Sequence, residues 1–526
     1  MKNEEFAAAA HFSHPWYIIK GGGNALYKGR MEQRDKDSYG HVLKYTGVFG
    51  GVQGLNIMVS LVRNKFVALL LGPAGMGLVT LFNTTVNFLS QATSLGIAFS
   101  AVRHISECYD AGDEAQTAYF VKLVRGWCLL TALLGMLLCV LIGPFLSNTT
   151  FAWGNHTLHF ILLAPAVGMM AITGGETAIL KGMRRLGALA VIQVMTVVAA
   201  LVMSVPLYYF FGEAAIVPVI VLMALVTMLF TVRHSYRLFP LQLRGTKGIL
   251  GEGMEMVRLG VAYTLAAIVG SGAEMLIRSW LNVAASLGEL GLYNAGYMIT
   301  ITYASMVFSA MESDYFPRLS AVSHDTEATN ETVNKQMEVS LLISSPMLVG
   351  LIIFLPVLIP LLFSREFLPV IAMTQVAVLA MFFKAVTLPT AYITLARGYS
   401  VMYLMLESAY FVVFVLLIIV GYRQWGLFGT GVAIALANVF DFLMIHVVAR
   451  WRYGYKISSA VVKYSAIHIL IGLLAFFTTI TVDGYAYWVF GIGLTLVSLL
   501  FSLLILHQKT RLWEALMRRV HKVLRI

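Results

Sequence analysis

Fourteen stretches of this chain are apolar and long enough to cross a lipid bilayer, and this limits the fold more than any other feature. They lie at 44–70, 76–101, 119–143, 157–179, 187–210, 214–232, 257–283, 290–312, 338–363, 368–395, 400–421, 427–449, 461–481 and 486–506. A helix needs about 20 apolar residues to span the hydrocarbon core. In that core no water satisfies a free backbone N–H or C=O, so each stretch is expected to be a helix and not an open strand. Composition agrees, with 59% hydrophobic and 12% charged residues, against roughly 45–50% and about 25% in a soluble domain. So few charges cannot cover so much apolar surface. A soluble enzyme, a disordered chain, collagen and a disulfide scaffold are excluded. The expected fold class is an all-α polytopic membrane protein with 14 transmembrane helices.

The net charge of +11 is expected to reflect cytoplasmic loops and not nucleic-acid binding. With the N-terminus in the cytoplasm, the loops and helix ends on that side carry 31 of the 37 Lys and Arg residues, and the opposite loops carry two, Arg365 and Arg423. Both termini are therefore expected to be cytoplasmic. The longest outer loop, 144–156, is about a dozen residues, so no external domain is expected. Residues 1–40 form a polar cytoplasmic arm whose apolar run at 6–10 is too short for a signal-peptide core. The tail, 508–526, alternates Leu512, Leu516, Val520 and Leu524 with Arg518, Arg519 and Lys522, and is expected to lie on anionic lipid as an amphipathic helix. Cys108, Cys128 and Cys139 have no paired spacing for a disulfide framework or a zinc site.

Short motifs recur at offsets of 215 or 216. Leu61-Val62-Arg63 is echoed by Leu276-Ile277-Arg278, and Leu71-Gly72-x-x-Gly75 by Leu287-Gly288-x-x-Gly291. Arg103 matches Arg318, and Lys181-Gly182 matches Arg397-Gly398. The expected organisation is two six-helix lobes in parallel repeat, 41–232 and 254–450, joined by a basic cytoplasmic linker, 233–253, with two extra helices in 451–507. In transporters such symmetry puts the substrate path between the lobes.

Polar residues recur on single helix faces within the spans. The first span carries Gln53, Asn56, Ser60, Arg63 and Asn64, and the second carries Asn83, Asn87, Gln91 and Ser94. Such faces either line a wet cavity or hydrogen-bond neighbouring helices. Arg63, Lys65, Arg278 and Lys384 lie inside spans, where each would cost about 2.5–3.5 kcal/mol at mid-bilayer unless hydrated or paired. Lys65 is near the outer boundary and can snorkel. Glu274 stands four residues before Arg278 and can neutralise it. Arg63 and Lys384 have no carboxylate within a turn, which suits them to an anionic substrate group. Glu274, Glu407 and Asp441 are the candidates for coupling to H+ or Na+, with helix-to-helix bonding as the other role of the last two. No phosphate-binding glycine loop appears. His156 and His159 form a pair too small to define a metal site.

The stretch Leu292-Tyr293-Asn294-Ala295-Gly296-Tyr297, with Val307-Phe308-Ser309-Ala310-Met311 and Asp314-Tyr315-Phe316-Pro317-Arg318-Leu319, resembles the eighth-span signature of bacterial Wzx-type polysaccharide flippases. Leu61-Val62-Arg63-Asn64-Lys65 with Leu71-Gly72-Pro73-Ala74-Gly75 resembles their first-span region. These flippases form the polysaccharide transport branch of the MOP superfamily, which also holds the MATE exporters and the lipid II flippases. The resemblance covers about residues 40–450. It implies a bacterial inner-membrane transporter, not an enzyme, that flips undecaprenyl-pyrophosphate-linked oligosaccharide (O-antigen or a similar surface glycan) by alternating access.

On that reading Arg63, Arg278 and Lys384 hold the diphosphate in a cationic cavity between the lobes. Gln53, Asn56, Asn83, Asn87 and Gln91 line the cavity for the sugar. No cofactor or metal is expected. The expected partners are the lipid-linked oligosaccharide, membrane lipids and polysaccharide assembly proteins, with no nucleic acid. The alternatives are a MATE-like cation-coupled drug exporter, which needs central carboxylates, and a membrane glycosyl polymerase or ligase, which needs larger outer loops.

Overall fold

The computed structural model describes the backbone of residues 24–150, 155–240, 249–303, 308, 315–316, 318–320 and 322–509, and side chains from Gly54 onward except at scattered positions. The chain divides into two units, Met1–Gly54 and Leu55–Ile526. The first is helical from Asn24. The arm over 1–23, the tail beyond 509 and the side chain of Gln53 lie outside the described residues.

The helices, numbered in chain order, are α1 Asn24–Thr93, α2 Ile97–Asp110, α3 Glu114–Thr150, α4 Thr157–Gly182, α5 Leu186–Phe211, α6 Ile216–Tyr236, α7 Ile249–Ala284, α8 Leu287–Tyr297, α9 Thr326–Leu362, α10 Val370–Ala396, α11 Ser400–Tyr453, α12 Ser459–Thr481 and α13 Gly484–Lys509. No strand occurs among the described residues. Nine helical segments among them are long and apolar enough to cross a membrane. Three of these segments contain a break or tight turn.

The breaks have local causes. In α1, Gly72 takes φ 63°, ψ −170° immediately before Pro73. Proline disfavours the helical conformation in the residue before it, and only glycine adopts this φ without strain. In α11 the break falls at Trp425 and Gly426, where Gly426 has φ 56°. A 3-10 turn, Gly212–Ala215, separates α5 from α6. The expected span at 76–101 is not continuous: α1 stops at Thr93, Leu95 and Gly96 take φ 51° and 69°, and the chain resumes as α2. The expected eighth span begins as α8 and passes into a π-helical turn, Met298–Tyr303.

Helix α4 packs against α2, α3 and α6, and α2 against α3, forming one group; α10 packs against both α9 and α11, forming a second. The last two helices join the second group. A Cβ at Gly472 would lie 2.9 Å from the Phe382 ring and one at Gly491 2.6 Å from Ile353. The Tyr487 hydroxyl donates to the Ile353 carbonyl at 2.6 Å. His468 is wholly buried, 3.4 Å from the hydroxyls of both Ser498 and Ser502, and so links α12 to α13.

The two groups meet where the second arm of α1 crosses α8. A Cβ at Gly77 would lie 2.3 Å from the Leu287 carbonyl oxygen, and one at Gly291 1.8 Å from that of Pro73. Backbone therefore rests directly on backbone at this crossing. Gly291 closes the second of the recurring Leu-Gly motifs, and Gly77 lies two residues beyond the first.

Candidate substrate cavity

A cavity of about 710 Å³ is lined by both arms of α1 together with α2, α4, α5 and α6, and all its lining residues fall between Arg63 and Thr227. It thus lies within the first group of helices, whereas the sequence pattern places it between the lobes. The second arm of α1 shows why. Gly77 faces α8. Asn83 lies six residues on, about 240° further round the helix, and with Asn87 it faces the cavity. In α4 the lining residues Met170, Thr173, Thr177 and Lys181 recur at helical spacing and form one stripe.

Arg63 and Lys181 are the cations of this lining, and no Asp or Glu is part of it. The Arg63 Nε is buried without a hydrogen-bond partner, and so is the hydroxyl of Thr196 on the facing wall. Tyr208 lies close enough to Arg63 to feel its charge. A guanidinium with an unused buried donor, among hydroxyls and amides and without a competing carboxylate, can accept an anion. Lys181 was legible only as the basic end of a span. Its position on the same α4 face as Thr177 and Thr173 is the signal that could have found it.

The other candidate residues fall elsewhere. Asn56 is buried with both side-chain polar atoms unpartnered, and Gln91 is exposed; neither lines the cavity. Arg278 is 6% exposed and does not line it. Its Nη1 donates to the Glu274 carboxylate at 2.8 Å, and the Tyr297 hydroxyl donates to the other oxygen of the same carboxylate at 3.1 Å. The Arg278 guanidinium also sits 5.2 Å from the Tyr297 ring centre.

Lys384 lies within electrostatic reach of both Glu407 and Asp441, which also reach each other. Tyr410 adjoins these carboxylates and Tyr293, and Tyr297 adjoins both tyrosines. Glu274 and Arg278 on α7 thus lie within electrostatic reach, through Tyr297 and Tyr410, of Lys384 on α10 and of Glu407 and Asp441 on α11. Lys384 has two carboxylates around it that sequence spacing could not reveal, since they come from α11.

Two further cations are tied to helix ends. The Lys65 ammonium donates to the carbonyls of Pro360, at 2.7 Å, and Phe363 at the C-terminal end of α9. It does not simply snorkel. Arg125 and Glu176 form a buried two-pronged pair at 2.8 and 3.2 Å. Arg125 also donates to the Phe239 carbonyl at 2.9 Å and stacks over Tyr236 at 4.2 Å, closing the end of α6. Among the described residues no group of three or more His, Cys, Asp or Glu could hold a metal ion.

This arrangement of kinked and paired helices is the fold of the MOP superfamily of membrane transporters. It matches an inward-facing multidrug resistance MATE family transporter of that superfamily with a TM-score of 0.66 and 17% identity, over 78% of this chain and 96% of that one. It matches the lipid II flippase MurJ in an inward closed conformation with a TM-score of 0.66 and 13% identity, over 88% of this chain and 98% of that one. A MOP superfamily transporter from Pyrococcus furiosus matches with a TM-score of 0.56 and 15% identity, over 78% and 94%. The chain itself belongs to the polysaccharide biosynthesis protein family, whose model matches residues 66–372. No curated protein matches it.

Proposed function

We propose that this chain is an alternating-access transporter of the Wzx type, and that it flips an undecaprenyl-pyrophosphate-linked oligosaccharide, an O-antigen or similar glycan unit, across the bacterial inner membrane. The observation that carries this reading is the cavity holding Arg63 and Lys181 without a lining carboxylate, where the Arg63 Nε has no partner among the described residues. A diphosphate offers the charge and the oxygen geometry that a guanidinium fork engages. Asn83, Asn87 and the threonines of the stripe supply hydrogen bonds suited to sugar hydroxyls. The family match to polysaccharide biosynthesis supports a glycan cargo.

The carboxylates lie outside the cavity lining, Glu274 on α7 with Arg278 and Glu407 and Asp441 on α11 near Lys384. In this reading they do not bind cargo. Glu407 and Asp441 exchange a proton or Na+ and bias the direction of a motion that would otherwise run equally both ways. Those carboxylates also favour the second reading, a cation-coupled drug exporter, because an organic cation would seek them.

Reconstitution into proteoliposomes separates the two. The protein is expected to flip undecaprenyl-pyrophosphate-linked oligosaccharide, faster with a proton or sodium gradient, and not to move a lipophilic organic cation. Extrusion of the cation without flipping of the lipid would transfer the assignment to the exporter.

A further inference from the structure

At the shared end of α10 and α11, four side chains form a stack that the transport reading does not use. The Arg397 guanidinium lies 5.1 Å from the Tyr453 ring centre, and that of Arg452 lies 5.3 Å from the Tyr399 ring centre. The two tyrosine rings stack on each other, 5.8 Å apart and 22° from parallel. Positive charge therefore borders an aromatic pair through both of its rings. The turn that makes this possible is Gly398, with φ 77°, between Arg397 and Tyr399. At the other end of α11, Gly454 at φ 67° terminates the helix just after Tyr453.

Two donors in this stack have no partner among the described residues. Tyr453 is only 4% exposed, yet its buried hydroxyl bonds to nothing, and the Nε of Arg397 beside it is in the same condition. Buried polar groups are nearly always satisfied, so two unused donors on touching side chains point to a ligand that accepts from both. The surroundings define its charge. Arg450 and Lys456 are exposed within four residues of the stack. Of the acidic side chains on the start of α9, Asp325 caps that helix, Glu331 pairs with Lys335, and Glu327 is exposed.

The surroundings also define a tail. Below the stack, α11 presents Val401 and Met405 near its start and Val447 and Trp451 near its end, each pair four residues apart and each residue exposed. Trp451 is 85% exposed, as befits an indole at a lipid headgroup level.

We propose that Arg397, Tyr399, Arg452 and Tyr453 form a binding site for the phosphate of an anionic phospholipid, whose acyl chains lie along Val401, Met405 and Val447. The Tyr453 hydroxyl and the Arg397 Nε donate to the phosphate oxygens. The stacked tyrosines hold both guanidinia in place by cation–π contact. Basic pockets between membrane helices bind anionic headgroups in this way. The site is independent of the cargo cavity, and its occupancy does not depend on what the protein transports.

The test uses the purified full chain in a neutral detergent, with bound lipid counted by native mass spectrometry. The probes are dioleoyl phosphatidylglycerol, dioleoyl phosphatidylcholine and inorganic phosphate. The wild type is expected to retain phosphatidylglycerol at least tenfold more tightly than phosphatidylcholine, and inorganic phosphate should not displace it. Arg397→Gln and Tyr453→Phe should each weaken phosphatidylglycerol binding about tenfold, while Arg450→Gln leaves it unchanged. Equal weakening by Arg450→Gln would reduce the effect to general surface charge and overturn the site. Equal binding of phosphatidylcholine, or displacement by inorganic phosphate, would overturn the phospholipid assignment. If Arg397→Gln does not fold, the near-isosteric Tyr453→Phe decides alone, and wild-type binding by that variant refutes the proposal.

Discussion

Arg63 and Arg278 occupy matching places in the recurring motif, yet their surroundings differ in sign. Arg278 has a carboxylate at 2.8 Å and a tyrosine ring beneath it, whereas Arg63 shares its cavity with Lys181 and no acid. The Glu274–Arg278 pair was legible because residues four apart meet on a helix. The company of Lys384 was not, because Glu407 and Asp441 are brought to it by packing of α10 against α11. Two predictions belong to this scale. Arg278→Met leaves Glu274 uncompensated and should lower the yield of folded protein, and Glu274→Gln with Arg278→Met should restore it, as read by size-exclusion profile. In the Arg125–Glu176 pair the side chains are 10% and 3% exposed. Glu176→Gln strands a buried guanidinium at a cost of about 3–5 kcal/mol, which should appear as a markedly lower Tm.

Among the elements, hydropathy marked long apolar helices, of which nine segments among the described residues are long enough to cross a membrane, but it could not show how they are broken. Gly72-Pro73 carries a visible signal for a bend, and Leu95 at φ 51° carries none, since only tertiary packing holds a leucine there. The contact of Lys65 with α9 spans 295 positions and leaves no trace in local pattern. Lys65→Met should strand the Pro360 and Phe363 carbonyls and cost about 1–3 kcal/mol, measured as a fall in thermal stability in detergent. The crossing of α1 and α8 is more demanding. A leucine at Gly77 or Gly291 must push backbone away from backbone. Gly77→Leu and Gly291→Leu should each lower thermal stability in detergent, while a leucine at Gly288, where a Cβ meets only the Ser286 hydroxyl at 3.8 Å, should be tolerated. An unchanged Tm in Gly77→Leu and Gly291→Leu would show that this crossing is not a close contact.

For the whole molecule, the lopsided distribution of Lys and Arg predicts an orientation with both termini inside. Asn155 and His324 are both exposed, and cysteines placed there should label from outside and from inside the inner membrane respectively. Ser147 is a poor reporter, being wholly buried with its hydroxyl accepting the His156 amide at 2.7 Å. Labelling of residue 324 from outside would reverse the assumed direction of transport. That direction matters for the proposal, in which the cavity of Arg63 and Lys181 takes cargo and Glu407 and Asp441 on α11 take a driving ion. The claim on which the account turns is that Arg63 binds the diphosphate. Its most direct measurement compares wild type, Arg63→Ala and Arg63→Lys for flipping of undecaprenyl-pyrophosphate-linked oligosaccharide in proteoliposomes, at matched protein incorporation. The account predicts no flipping by Arg63→Ala and partial flipping by Arg63→Lys, which keeps the charge and loses the fork. Flipping by Arg63→Ala at the wild-type rate would contradict it.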